Sequence, residues 1–138
     1  MQEYDYETLL KKAYSQVKLV ETSSDRFEIP KVEGQVSGKN TLIINIMSIS
    51  SYLRRPVEHL IKFLLKELAT SGKLQNNSLI LNSRLNSVKV NEKIQLYAKN
   101  FVLCPVCTKP DTEQISERGI KLKHCLACGA KSPIKYSL

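Results

Sequence analysis

The arrangement of its cysteines constrains this chain more than any other feature. The sequence contains four cysteines in two C-x2-C pairs, namely Cys104, Cys107, Cys125 and Cys128. Residues 108–124 separate the pairs, and this spacing is typical of two knuckles that together supply the four thiolates of a tetrahedral zinc site. In a reducing compartment such clustering indicates metal binding rather than disulfides. The sequence therefore predicts a zinc ribbon over residues 102–138.

The segment between the cysteine pairs has strand character at 112–115 and 120–124, with a turn at 117–119, and so predicts a hairpin. Four thiolates leave no open coordination position, and we expect the zinc to be structural rather than catalytic. A redox role for the C-x-x-C pairs is the alternative. It is disfavoured because no thioredoxin-like strand-helix-strand pattern surrounds them. No phosphate-binding glycine loop is found either, and we expect no enzymatic activity.

An excess of basic residues gives the chain a formal net charge of +8 at pH 7. Such a charge favours a polyanionic partner such as RNA, although it also suits an acidic protein partner or a merely solvated surface. In the ribbon, the candidates for RNA contact are Lys109, Arg118, Lys121, Lys123, Lys131 and Lys135. A second basic strip is predicted at Arg54, Arg55, Lys62 and Lys66.

The amino-terminal segment, residues 1–19, has apolar residues at helical spacing. The predicted stripe consists of Tyr6, Leu9, Leu10, Ala13, Tyr14 and Val17. Asp5 is positioned to cap this helix. Because so short a helix is marginal alone in water, its stripe should be buried on the chain's own core or in a groove of another subunit. The polar character of the following linker, residues 20–33, favours a docking helix.

A central domain is predicted over residues 34–101. It starts with a β-branched strand at 41–45, which is followed by a short helix that Ser48 can cap. A second and strongly periodic helix is expected to begin at Pro56, which suits a first helical position, and to end at Gly72 as its C-cap.

A hairpin that turns at Asn76 and Asn77 and a third helix capped near Ser87 complete the predicted central domain. The order of strand, helix, helix, hairpin and helix resembles a winged helix-turn-helix. His59 and His124 are expected at the surface. The predicted fold class is α+β, with an amino-terminal docking helix, a small central α/β domain of winged-helix type and a carboxyl-terminal four-cysteine zinc ribbon.

The sequence contains no apolar stretch of the roughly 18 residues that would span a bilayer. Its start carries Glu3, Asp5 and Glu7, where a secretory signal would be basic and then apolar. We expect a cytoplasmic protein that does not bind membranes.

Five stretches of the chain resemble the beta subunit of archaeal and eukaryotic translation initiation factor 2 and the related amino-terminal domain of eukaryotic initiation factor 5. They are PVEHLIKFLLKELATSG at 56–72, LIL at 79–81, FVLC at 101–104 with PDT at 110–112, and CLACGA at 125–130. The archaeal form fits better, because the lysine blocks of the eukaryotic amino-terminal extension are absent. Segment 24–39 matches weakly.

The resemblance implies one subunit of a heterotrimer that brings initiator methionyl-tRNA to the small ribosomal subunit. It also implies that the gamma subunit holds GTP, that an alpha subunit belongs to the same assembly, and that the amino-terminal helix anchors beta to gamma through its apolar stripe. The alternative is a transcription initiation factor that joins a winged helix to a zinc ribbon, as the large subunit of archaeal transcription factor E does. The helix before the linker discriminates between the two candidates, because only a beta subunit of initiation factor 2 needs a docking stripe there.

Overall fold

Helices and short strands alternate along the chain, as a computed structural model shows for residues 5–17, 27–136 and 138. The elements are α1 (Tyr6–Gln16), β1 (Gly34–Ser37), β2 (Asn40–Ile43), α2 (Ile46–Tyr52), α3 (Val57–Glu67), β3 (Gly72–Gln75), β4 (Ser78–Leu81), α4 (Ser87–Tyr97), a π-helical segment (Ala98–Val102), β5 (Thr112–Glu117), β6 (Ile120–Cys125) and β7 (Lys131–Pro133). The α+β class with a four-cysteine module at the carboxyl end is confirmed. No helix in the described ranges combines the length and hydropathy needed to cross a bilayer.

The central domain is built on a four-stranded antiparallel sheet in the order β1-β2-β4-β3. The predicted hairpin of β3 and β4 is confirmed, and Asn76 and Asn77 turn it with positive φ angles of 49° and 61°. It forms half of the sheet because β4 also pairs with β2. The sequence analysis missed β1, since all four of its residues are exposed and it shows no apolar alternation.

The helices cover one face of this sheet and form the core with it. Ile43, Leu79 and Leu81 point from the strands into a cluster that is completed by residues of α2, α3, α4 and the π-helical segment. At its centre, the rings of Phe63 and Phe101 lie 5.6 Å apart at 82°, an edge-to-face contact. The α4 and π segments run on as one helix, because Ala98 keeps a helical conformation and its carbonyl accepts a bond five residues on from the Leu103 N–H.

The ends of the central helices differ from the prediction. Asn45 rather than Ser48 precedes α2, and Pro56 occupies the cap position of α3 rather than its first turn. The predicted C-cap at Gly72 is wrong: α3 ends at Glu67 with Leu68 as its C-cap, and Ala69 takes the left-handed conformation with φ 47°. Gly72 instead begins β3, where a side-chain Cβ would lie 2.5 Å from the Ile80 carbonyl oxygen. The lack of a side chain at Gly72 therefore allows β3 to lie close to β4.

The predicted linker, 20–33, is described from Phe27 onward, and this part lies on the central domain. The Phe27 ring stacks on Tyr52 at 5.5 Å between centroids. Val32 is buried in the core, and its backbone N–H donates to the Asn91 side-chain oxygen at 2.9 Å. Residues 20–26 of the predicted linker lie outside the described residues.

We expect Gly72→Ala to lower the free energy of unfolding by about 1–3 kcal/mol, because the new methyl group must displace backbone in a packed sheet. Gly34→Ala is the matched control, since the nearest atom to its added Cβ, the Leu42 carbonyl oxygen, is 3.6 Å away. Urea unfolding followed by circular dichroism measures both. Equal midpoints for the two variants would contradict the steric role of Gly72.

Candidate metal centre and partner surfaces

The four cysteine sulfurs converge at the end of the ribbon. All four Sγ atoms lie within 4.8 Å of one another. Cys104 and Cys128 are 3.6 Å apart, and Cys107 and Cys125 are 3.5 Å apart, measured between sulfurs. A tetrahedral site with metal–sulfur bonds of about 2.3 Å places its sulfurs roughly 3.8 Å from one another. The sulfurs therefore fit a single metal ion of that size.

The first knuckle is shaped by backbone hydrogen bonds. The Cys104 N–H donates to the Lys109 carbonyl at 3.1 Å, and the Thr108 N–H donates to the Cys104 carbonyl at 3.0 Å. Thr108 has a φ of 60°, which reverses the chain. The Val106 N–H points at the Cys104 sulfur from 3.4 Å, as a donor to a thiolate does.

The second knuckle repeats this pattern. The Cys125 N–H donates to the Ala130 carbonyl, and the Gly129 N–H donates to the Cys125 carbonyl, both at 2.9 Å. Gly129 has a φ of 75° at the position equivalent to Thr108. The Cys-Gly sequence thus supplies the reversal without strain. Two equivalent knuckles present two sulfurs each, which is the arrangement that a closed four-thiolate site needs.

Electrostatics divide the sulfurs into two kinds. Burial opposes ionisation of Cys104, but backbone N–H donors from Cys107 and Val106 outweigh it and lower the pKa of Cys104 to about 6. The Ala130 N–H favours the Cys128 thiolate, yet desolvation and the neighbouring sulfurs raise the pKa of Cys128 to about 12. Because thiolates bind metal, an ion that enters this site must displace the proton of Cys128 at neutral pH.

A hairpin connects the knuckles, as predicted. β5 and β6 pair from Thr112 opposite Cys125 to Glu117 opposite Ile120. Its turn consists of Arg118 and Gly119, with φ angles of 51° and 81°, so the turn is shorter than predicted. β7 adds a third strand beside β6 that the sequence analysis missed, because it has only three residues and one is proline.

The amino-terminal helix has no contact that buries it. The structure describes α1 as Tyr6–Gln16, and none of its residues is buried. The large stripe residues are exposed by 74% at Tyr6, 44% at Leu9, 40% at Leu10, 73% at Tyr14 and 59% at Val17, and Ala13 is exposed as well. Asp5 precedes the helix without a side-chain capping bond. Packing on the chain's own core is thus not observed in the described residues.

The ribbon's basic residues are not equivalent. Lys121, Arg118 and Lys135 are exposed, and Lys109 is half-buried. The Lys131 ammonium lies 2.6 Å from a Glu117 carboxylate oxygen in an exposed ion pair. These residues remain candidates for RNA contact, with the charge of Lys131 partly matched within the ribbon.

The prediction that Lys123 faces RNA is wrong, because its side chain is buried at 6% exposure. Its ammonium donates to the Asn100 carbonyl at 3.1 Å and also to the Leu103 carbonyl. The strand alternation had placed it correctly on the face of Lys121. At this end of β6, however, that face is covered by the end of the π-helical segment.

Arg55, predicted in a second basic strip, is also buried, at 7% exposure. Its guanidinium donates to the carbonyls of Phe101 and Thr112 and to the Thr112 hydroxyl, each at 2.8 Å. His59, expected at the surface, is half-buried, with Nδ1 2.8 Å from the Tyr97 hydroxyl. Periodicity did not identify either residue, because Arg55 precedes α3 and His59 lies off its apolar stripe, where both contact the α4–π helix.

His124, expected at the surface, is half-buried on β6. Its Nδ1 lies 2.9 Å from a Glu113 carboxylate oxygen on β5. The two residues are register partners across the hairpin, so the contact is a cross-strand pair. His124 therefore pairs with Glu113 and is not among the four residues that converge on the metal site.

Comparison with known proteins places this arrangement in context. A family model for a domain found in initiation factors 2B and 5 matches residues 17–131. "Translation initiation factor 2 subunit beta" of Methanococcus vannielii is 45% identical over 132 residues, which cover 96% of each chain. The protein of that name from Methanopyrus kandleri is 43% identical over 98% of each chain. The one from Methanosphaera stadtmanae is 38% identical over 95% of this chain and 92% of its own. A shared zinc ribbon alone would not produce similarity over this length.

We expect the affinity of the site for Zn²⁺ to fall as pH falls, because protons compete with metal for the thiolates. Each proton displaced on binding should change the affinity by about tenfold per pH unit. Competition with a chromophoric chelator measures this dependence. Cys107→Ser, which removes one ligand, is expected to lose the metal at all these pH values. An affinity that does not change with pH would contradict thiolate ligation.

Proposed function

The chain belongs to the family of translation initiation factor 2 beta subunits, and on that premise we propose that it is one subunit of a cytoplasmic heterotrimer that brings initiator methionyl-tRNA to the small ribosomal subunit. The gamma subunit of this assembly holds GTP, and an alpha subunit completes it. The similarity to relatives over nearly the whole chain supports the proposal.

The exposed apolar stripe of α1 is the single observation that carries this function. Tyr6 and Tyr14 each expose more than seven-tenths of their surface, and Leu10 lies between them on the same helix face. An isolated helix of 11 residues is marginal in water. A groove on the gamma subunit would bury the stripe and stabilise the helix together, as helix-in-groove recognition does. Residues Tyr6, Leu9, Leu10, Ala13, Tyr14 and Val17 form this proposed contact.

The metal is proposed to be a structural Zn²⁺ held by Cys104, Cys107, Cys125 and Cys128. Four sulfurs at tetrahedral spacing are the ligand set that Zn²⁺ prefers, and they leave no position for a substrate. Zinc supplies folding free energy to the ribbon when bound. The subunit itself is proposed to catalyse no step, and the nucleotide chemistry belongs to the gamma subunit.

RNA contact is proposed for the basic ribbon surface of Lys109, Arg118, Lys121, Lys131 and Lys135. Arg118 lies at the tip of the β5–β6 hairpin, where it can approach a phosphate backbone without obstruction. Each lysine or arginine that neutralises a phosphate adds affinity that declines with salt. Initiator tRNA and the RNA of the small ribosomal subunit are the polyanions available to this assembly.

The transcription-factor alternative shares the four-cysteine ribbon. The relatives described above carry the translation factor's name and not a transcription factor's. The alternative also has no use for an exposed stripe before the central domain. The translation assignment therefore accounts for the exposed stripe of α1, which the transcription-factor alternative does not.

We expect Leu10→Asp, and likewise Tyr14→Asp, to lower the affinity for the gamma subunit by at least about a hundredfold, because a carboxylate desolvated in an apolar groove costs several kcal/mol. Thr8→Asp is the matched control: it introduces the same charge on the opposite face of α1. Binding is measured by gel filtration and titration calorimetry with purified gamma subunit.

The central domain should keep its unfolding midpoint in all three variants, since α1 contributes nothing to the core. Co-migration of Leu10→Asp and Tyr14→Asp with gamma, at the affinity of the unchanged protein, would refute the docking helix. An equal loss in Thr8→Asp would do the same.

A further inference from the structure

The carboxyl end of the long α4–π helix lies at the junction between the central domain and the ribbon. The last carbonyls of a helix have no partners within it. Here every one of the last carbonyls is bonded by a side chain. Asn100 and Leu103 carbonyls accept from Lys123, the Phe101 carbonyl accepts from Arg55, and the Val102 carbonyl accepts from the Thr112 hydroxyl.

The donors come from both sides of the junction. Arg55 precedes α3 in the central domain, whereas Thr112 and Lys123 belong to β5 and β6 of the ribbon. Arg55 also donates to the Thr112 carbonyl and hydroxyl, so one guanidinium bonds the helix end and the ribbon simultaneously. We propose that Arg55 and Lys123 are positioning residues that hold the ribbon in one fixed orientation on the central domain.

The physical basis is the negative end of the helix dipole. Cations placed there are stabilised, more so where they are partly buried. Within the described residues, no carboxylate lies within salt-bridge distance of Arg55 or Lys123, and their hydrogen-bond partners are backbone carbonyls and the Thr112 hydroxyl. If Arg55 or Lys123 pointed elsewhere, the carbonyls that it bonds would lose their side-chain donors, which is costly where they are buried.

Such a junction determines orientation more than it adds stability. Burying two cations costs hydration, which their bonds to carbonyls offset, and the Arg55 Nε remains buried without a partner in the described residues. The bonds are directional, however, and a guanidinium with four fixed acceptors permits one placement. The experiment must therefore measure orientation and motion rather than stability alone.

A second contact restrains the ribbon from its other end. Beyond β7 the chain returns to α3, where the Tyr136 ring lies 5.2 Å from Phe63 and 5.8 Å from Phe101 between centroids. The Lys66 ammonium lies 5.3 Å above the same ring. The ribbon is thus held at β5, at β6 and after β7, which opposes rotation about any single connection.

Backbone ¹⁵N relaxation of the zinc-loaded full chain tests the proposal. In the unchanged protein, amides of β5 and β6 should report the same rotational correlation time as amides of α3 and α4. In Arg55→Met and Lys123→Met, the correlation time of the ribbon should fall well below that of the central domain, while the zinc stoichiometry stays at one per chain.

The chain offers a matched control for each variant. Arg84→Met removes an exposed arginine of the central domain, and Lys121→Met removes an exposed lysine on the same strand face as Lys123. Both controls should keep a common correlation time. If Arg55→Met loses zinc, Lys123→Met decides the test.

Three results would overturn the proposal. Common correlation times in both test variants would show that the ribbon is held without these cations. Equal changes in the controls would show a general effect of lost charge. Zinc loss from both test variants, but not from the controls, would show that the contacts fold the ribbon rather than orient it.

Discussion

Four sulfur atoms take the place of a hydrophobic core in the carboxyl-terminal module. Within its described residues, from Cys104 to the end of the chain, the buried side chains are two cysteines, one threonine and one lysine. Three short strands without an apolar interior have little to hold them together. The geometry of the two knuckles, and with it the position of every basic residue on the hairpin, therefore depends on what the thiolates bind. The junction with the central domain depends on it too, because Thr112 and Lys123 reach the helix end only from a folded β5 and β6.

The central domain contributes to this junction through the aromatic cluster under it. Burial lowers the pKa of His59, and the charges of Lys121, Arg55 and Lys62 lower it further. This environment favours the neutral form of His59, which hydrogen-bonds the Tyr97 hydroxyl, and burial raises the pKa of Tyr97 well above its usual range. Lys62 of α3 and Lys121 of β6 both act on this one histidine, so a docked ribbon joins the two predicted basic strips into one surface.

The sequence predicted those features that a local period or spacing encodes. The two C-x2-C pairs predicted that four cysteines converge, and Asn76 and Asn77 predicted the turn of the β3–β4 hairpin. The apolar stripe predicted the helix α1. The sequence did not predict contacts between side chains and residues far away along the chain. Lys123 and Arg55 look like surface charges in any window, because the carbonyls they bind are contributed by residues 20 and 46 positions away. A contact between a polar side chain and the end of a distant helix produces no periodic pattern in the sequence.

The exposed stripe of α1 and the bonded junction of the ribbon are two different modes of attachment in one small chain. The stripe of α1 is available to a partner because nothing in the described chain covers it. The ribbon, in contrast, is bonded to the central domain. A partner that captures α1 would therefore recruit the central domain and the ribbon as one body, and a phosphate backbone would encounter Lys62 and Lys121 together. If the proposed function holds, this arrangement separates the anchor for the gamma subunit from the surface presented to RNA.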